Sequence, residues 1–265
     1  MPHRNDPRRS RAGRWTIALI LISVLTTRAA FGQTRAVPKI DGFLARTYTN
    51  ARHEVMPYRL FVPIGYDKAK AYPLVIWLHG AGGEGEDNVA QIENDQTLGT
   101  HTWTRPEVQA RHPAFVLVPQ TVGPWATEAG PSLSDPERLV TEVLASVESE
   151  YTVDAKRVYV TGQSNGGYGV WDLITKRPNL FAAAIPICGG GNVSLAYRAA
   201  NMPIWAFHGD SDKTIPVTES RQMIAAIRKV GGTPRYTEFK GVGHDAWPHA
   251  FKEPGLVDWL FAQHQ

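Results

Sequence analysis

Cysteine is nearly absent: Cys188 is the only one in 265 residues. No internal disulfide can form and no cysteine cluster can hold a metal, so stability has to come from a buried core. A lone cysteine closing the apolar run 182–188 reads as a small buried side chain rather than a reactive thiol. Internal repeats, low-complexity tracts and an internal Pro/Ser/Gly-rich linker are missing too, which leaves one domain as the expectation at this length. Also lacking is an apolar run long enough to cross a ~30 Å hydrocarbon layer comfortably. The run 15–25 is too short for that.

What precedes and follows that run gives it a meaning. Arg4, Arg8, Arg9, Arg11 and Arg14 form a basic start, and Ala30-Phe31-Gly32 supplies small residues where a signal peptidase requires them. We therefore expect residues 1–32 to be a secretory signal peptide, with cleavage before Gln33, and residues 33–265 to be the mature domain. Arg8-Arg9 adds a weak twin-arginine signal. The expected destination is the periplasm or the exterior, with no stable membrane insertion after cleavage.

The leader also distorts the charge. The whole chain has a sequence pI of about 9.0, but the leader holds six of the 28 basic residues and one of the 25 acidic ones, leaving 22 and 24, a net of −2. The alkaline pI is thus no argument for nucleic-acid binding, and no nucleic-acid partner is expected.

The hydrophobic residues, 43% of the whole chain, are patterned. Residues 43–49 and 57–63 read as two short strands joined by a turn, an antiparallel edge. From Pro73 onward, compact β-rich runs at 74–78, 114–118, 157–161, 182–187, 204–208 and 235–239 alternate with longer segments. Helical spacing of apolar residues marks 136–151, 167–176, 217–230 and 255–264. Such alternation predicts an α/β fold, a mostly parallel sheet covered by helices on both faces. Ligands in such sheets sit beyond the carboxyl ends of the strands.

Four strand ends carry chemistry. Gly162-Gln163-Ser164-Asn165-Gly166 follows a strand and precedes a helix, the required context of the G-x-S-x-G nucleophile elbow. A serine hydroxyl needs a base, and the base an orienting acid. Phe207-His208-Gly209-Asp210-Ser211-Asp212 offers two carboxylates in one turn, of which either could be that acid. Gly241-Val242-Gly243-His244-Asp245 offers His244 as base, with His249 as a more distant rival. His79 and His208, each just before a glycine at a strand end, read as shaping the backbone. Finally, Leu78-His79-Gly80-Ala81-Gly82-Gly83 places glycines where backbone N–H groups can turn toward an oxyanion. The N–H groups of Ala81 and of Asn165 would form that hole.

With Trp77 to Gly83, 162–173, 186–190, 205–216 and 236–247, the chain resembles the esterase and "predicted peptidase" group of the α/β-hydrolase superfamily. That group is related to dienelactone-hydrolase-like and feruloyl/acetylxylan-esterase-like enzymes. The resemblance runs from about Pro57 to the C-terminus. It implies Ser164 as nucleophile, Asp212 as acid with Asp210 organising the turn, His244 as base, and neither cofactor nor metal. Gln163 and Asn165 depart from the residues usual beside the nucleophile. Carboxylic ester hydrolysis through an acyl-enzyme is the implied reaction, on a small-molecule or polysaccharide-linked ester, with a serine peptidase or a silent binding protein on the same fold as alternatives. The stretch between Cys188 and Pro203 is too short for a large lid. An open cleft is expected, lined by aromatics drawn from Trp125, Tyr168, Trp171 and Trp247, with Trp125 and Trp247 as substrate contacts and the loop 120–135 shaping it.

Overall fold

Each apolar run splits by its period of two. In the run that becomes the first central strand, Leu74, Ile76 and Leu78 face one helical layer while Val75 and Trp77 face the other, and all five are fully buried. A strand apolar on both faces belongs inside a sheet covered on both sides. The computed structural model describes residues 39–127, 130 and 134–265. The leader and its cleavage site lie outside the described residues, as do 128–129 and 131–133 of the loop 120–135.

Nine strands among the described residues form one sheet: β1 Lys39–Ile40, β2 Phe43–Thr49, β3 Val55–Phe61, β4 Tyr72–Leu78, β5 Phe115–Pro119, β6 Val153–Gln163, β7 Ala183–Ile187, β8 Trp205–Gly209 and β9 Arg235–Phe239. Their order is β1-β2-β3-β5-β4-β6-β7-β8-β9. β1, β2 and β3 are joined antiparallel, and β3 meets β5 antiparallel. From β5 across to β9 all pairs are parallel. The expected antiparallel edge and parallel centre are both present.

The helices are α1 Thr97–His101, α2 Pro106–Arg111, α3 Asp135–Glu150, α4 Asn165–Lys176, α5 Thr218–Lys229, α6 Trp247–Ala250 and α7 Leu256–Phe261. α3, α4 and α5 bury Val140, Val143, Leu173, Ile174, Met223 and Ile227 against one face of the sheet. Trp103, Val108, Phe251, Leu256 and Leu260 cover the other. The expected helix 255–264 begins one residue later, because Gly255 caps it in the left-handed region at φ +78. β6 runs from Val153 rather than from 157 because its start pairs with Tyr72 before a bulge resets the register at Leu74.

Strand order positions the site. The connection leaving β4 returns to β5 on one side, whereas the chain leaving β6 proceeds to β7 on the other. The carboxyl ends of β4 and β6 therefore frame the crevice where such sheets bind ligands.

A buried ionic cluster ties α4 to α3. Lys176 Nζ lies 2.5 Å from Asp172 Oδ2 and 3.3 Å from Glu137 Oε2. The same Glu137 oxygen accepts the amide of Ser134 at 2.9 Å and lies 2.8 Å from its hydroxyl oxygen. Burial, helped by the Asp172 carboxylate, pushes Glu137 up to about 7 from an ordinary 4.5. A carboxyl that keeps its proton longer in the folded than in the unfolded chain loses stability as pH rises between those two values. Replacing Lys176 with methionine leaves two carboxylates buried together and should cost about 3–5 kcal/mol. The loss should be larger at pH 8 than at pH 5, where protonated Glu137 relieves the repulsion. Urea unfolding at both values measures it; equal losses would contradict the assignment.

Candidate active site

β6 ends at Gln163 and α4 begins at Asn165, so Ser164 alone turns the chain, at φ 55 and ψ −118. A non-glycine residue held there carries strain of about 1–3 kcal/mol that its surroundings must fix. They do so on both sides: the Ser164 amide donates to the Ile187 carbonyl at 2.9 Å, and the Tyr168 amide donates to the Ser164 carbonyl at 3.1 Å. The flanking glycines follow from close packing. A Cβ on Gly166 would collide with the Leu78 carbonyl, and one on Gly162 would lie 2.6 Å from the Gly166 carbonyl oxygen.

On this elbow, Ser164 Oγ lies 2.8 Å from His244 Nε2. His244 stands in the loop after β9, and its Nδ1 lies 2.8 Å from Asp212 Oδ2. A carboxylate can only accept, so Nδ1 carries the hydrogen and Nε2 offers its lone pair to the hydroxyl. The other Asp212 oxygen, Oδ1, accepts the amides of Thr214 and Ile215 at 2.8 and 2.9 Å. Burial works against the Asp212 charge, but the hydrogen bonds from His244, Ile215 and Thr214 outweigh it and hold the carboxyl below its ordinary value. Asp210 is spent on its own turn, accepting from Ser211 Oγ at 2.8 Å and the Gly241 amide at 2.7 Å. His249 is exposed and rests against Phe239.

The loop after β4 comes up beside the elbow. Ala81–Gly83 makes one 3₁₀ turn, and a Cβ on Gly80 would lie 3.5 Å from Ser164 Cβ. The Gly80 amide is held by Gln96 Oε1 at 2.9 Å. His79 pins the loop: its Nδ1 lies 2.8 Å from the Gly80 carbonyl, which needs the hydrogen there, and Nε2 accepts the Thr121 amide at 3.2 Å. Burial lowers His79 to about 4, so it serves as a neutral ring. The Ala81 and Asn165 amides each open a helical turn, and such first-turn N–H groups have no partner within their own helix. Asn165 is held by its side chain, with Nδ2 donating to Glu84 at 2.9 Å and Oδ1 accepting the Trp125 amide at 3.3 Å.

The profile of the prolyl oligopeptidase family matches residues 139–203, the span that holds the elbow and α4. A crystal structure of a thermostable esterase superposes with a TM-score of 0.81 at 39% identity, covering 85% of this chain and 64% of that one. The chain is a serine hydrolase of the α/β-hydrolase fold. A probable feruloyl esterase C of Aspergillus terreus is 27% identical over 218 residues, 77% of the hydrolase and 74% of the relative. A bifunctional acetylxylan esterase/xylanase of Neocallimastix patriciarum is 31% identical over 144 residues, 54% of the hydrolase and 20% of that larger protein. The hydrolase thus groups with carboxylic ester hydrolases, and it spans less than two thirds of the thermostable esterase.

Two of the aromatics expected in its cleft are not there. Trp125 is fully buried; its indole N–H donates to the His79 carbonyl at 3.0 Å and its carbonyl accepts the Ser134 hydroxyl at 2.5 Å. It is a strut beneath the loop after β4 and has no surface to offer a substrate. Trp171 is also fully buried, in the layer between α4 and the sheet. Their apolar area is worth more inside, roughly 25 cal/mol per Å² of apolar surface removed from water. Trp247 remains half-exposed, edge-on to His244 with ring centroids 5.6 Å apart. Tyr168 is half-buried and lines a depression of about 270 Å³ with Ala126, Thr127, Gly190, Gly191 and Asn192. No lid covers them from the β7–β8 connection, whose structured part is one short 3₁₀ segment, Val193–Ala199.

Cys188 is buried beside the site, its Sγ within 4.8 Å of ligand-type atoms of Asp212 and His244. Burial pushes the thiol up to about 12, so it stays protonated and is a poor metal ligand at neutral pH. Sequence reasoning overlooked the contacts of His208. Its fully buried ring lies with Nε2 3.2 Å from Asp212 Oδ2. Their four-residue spacing was the available signal.

No helix among the described residues is long and apolar enough to cross a membrane.

Proposed function

We propose that the hydrolase is an exported serine esterase in which Ser164 is the nucleophile, His244 the general base and Asp212 the acid that orients it. The observation carrying this is the unbroken hydrogen-bond chain from Ser164 Oγ through both nitrogens of His244 to Asp212 Oδ2. Ser164 attacks the ester carbonyl as its proton passes to His244 Nε2. The oxyanion that forms is met by the amides of Ala81 and Asn165, a donor pair of which each member is worth about 2.7–4 kcal/mol in the transition state. His244 then protonates the leaving alcohol, and a water deprotonated by His244 releases the acid and restores Ser164.

Acetyl or feruloyl esters of carbohydrates are the proposed substrates. The named relatives support this choice, and so does a site without a lid, which admits a bulky chain. Trp247, against His244, is the aromatic placed to contact that substrate. Export rests on the leader, with residues 33–265 as the single catalytic domain. The prolyl oligopeptidase profile favours one second reading, amide cleavage by the same residues.

The test is hydrolysis by the protein beginning at Gln33 of aryl acetates and butyrates, acetylated and feruloylated xylan, and a chromogenic peptide amide. Release of acetate or ferulate from the polysaccharide is the expected result. Turnover of the amide alone would replace the esterase by the peptidase. Turnover of aryl esters without release from xylan would overturn the substrate class only.

A further inference from the structure

His208 is the last ring-bearing residue of β8, and its partners leave little freedom in placing its hydrogens. Nε2 lies 3.0 Å from the Ile215 carbonyl and 3.2 Å from Asp212 Oδ2. Both neighbours can only accept, so Nε2 must carry a hydrogen. Nδ1 lies 2.8 Å from Ser220 Oγ, and that hydroxyl is in turn 2.7 Å from the Gly189 carbonyl. The ring is therefore clamped between α5 and the loop after β7 on one side and the Asp212 turn on the other.

Asp212 Oδ2 thus receives the ring N–H of His244 and lies 3.2 Å from the His208 Nε2–H, which is shared with the Ile215 carbonyl, while Oδ1 receives two backbone amides. We infer that His208 is a positioning residue for the reaction: by donating Nε2–H to Asp212 it fixes the plane of the carboxylate that orients His244 and limits how strongly that oxygen draws on the base. This inference rests on the proposed assignment of Ser164, His244 and Asp212.

Burial holds His208 below its ordinary value, so the ring is neutral at pH 7. The charged and titratable groups facing this corner are Asp212 and His244 from their loops, Glu238 on β9 and the protonated thiol of Cys188 after β7. Removing the His208 donor leaves Asp212 Oδ2 a stronger acceptor toward His244. A more strongly held imidazolium is harder to deprotonate, so the acid limb of the rate profile must move to higher pH.

The test compares His208→Phe and His208→Gln with the parent enzyme on p-nitrophenyl acetate, with Ser164→Ala as blank and an organophosphonate burst to count functional sites. Phenylalanine fills the space but donates nothing. Glutamine can place an amide N–H near the position of Nε2. With His208→Phe, kcat per titrated site should fall about 100-fold, the scale of a slightly misplaced reacting group. KM should change little and the acid limb should rise. His208→Gln should recover most of the rate and return the limb toward the parent. An unchanged kcat per site and an unmoved limb in His208→Phe would overturn the inference, as would a His208→Gln variant no better than His208→Phe. If His208→Phe yields no folded protein, Ser220→Ala decides: a shifted limb there, where the loss frees the far side of the ring, supports positioning, and a parent limb contradicts it. Undiminished turnover by Ser164→Ala would instead remove the assignment beneath the inference.

Discussion

Ser164→Ala is expected to reduce kcat on an aryl ester by about 10⁶-fold, the scale seen when a serine nucleophile that acts as a unit with its base is removed. The fold should survive. Alanine keeps the Cβ that already sits at φ 55, and the backbone bonds to Ile187 and from Tyr168 do not involve the hydroxyl. The Ala81 and Asn165 amides stay in place, so residual turnover above the uncatalysed rate should remain. The check is single-turnover hydrolysis beside a thermal melt. A melt close to the parent with undiminished turnover would move the nucleophile elsewhere.

Much of this was legible in the chain, for reasons that differ by element. β4 and β7 were visible because both faces are covered, so every position is apolar. β2 and β9, near or at the margins of the sheet, were visible through β-rich composition between turns. The elbow was visible because tight packing against Leu78 and Ile187 admits only glycine at 162, 166 and 167. Chain order then pointed to the Asp212 and His244 loops, and the resemblance chose between Asp210 and Asp212.

What was not legible lies between elements. α1, α2 and the 3₁₀ turns from Ala81 to Gln96 have no apolar period, because they are held by side chains reaching to backbone. Gln96 braces Gly80, Gln120 reaches the Gly83 carbonyl at 3.2 Å, and Gln109 bridges the carbonyls of Trp103 and Ala114. A glutamine that braces a loop looks in sequence like one on the surface. Trp125 failed for a related reason. Its place in a polar loop after a strand end suggested a platform, whereas its indole finds a carbonyl beneath the loop and buries the ring. The fate of an aromatic in a loop depends on which polar partner its N–H can reach, and sequence does not carry that distance.

Asp212→Asn separates the two carboxylates of one turn. Asp212 presents an oxygen to His244 Nδ1, which keeps the base with its lone pair at Nε2. An asparagine there, with its carbonyl retained by the Thr214 and Ile215 amides, turns an NH₂ toward His244. Nδ1 must then accept, the hydrogen moves to Nε2, and the ring faces Ser164 as a donor that cannot take its proton. The expected loss in kcat is about 10⁴-fold, with substrate binding little affected. Asp210→Asn keeps an acceptor for the Gly241 amide and the Ser211 hydroxyl, and its kcat should stay within about tenfold of the parent, since no reacting group is displaced. Raising the pH should partly restore Asp212→Asn, because hydroxide can assume the role the neutral ring has lost, whereas Asp210→Asn should follow the parent profile throughout. Equal losses from the two substitutions would mean that the turn as a whole, and not the Asp212 carboxylate, governs His244.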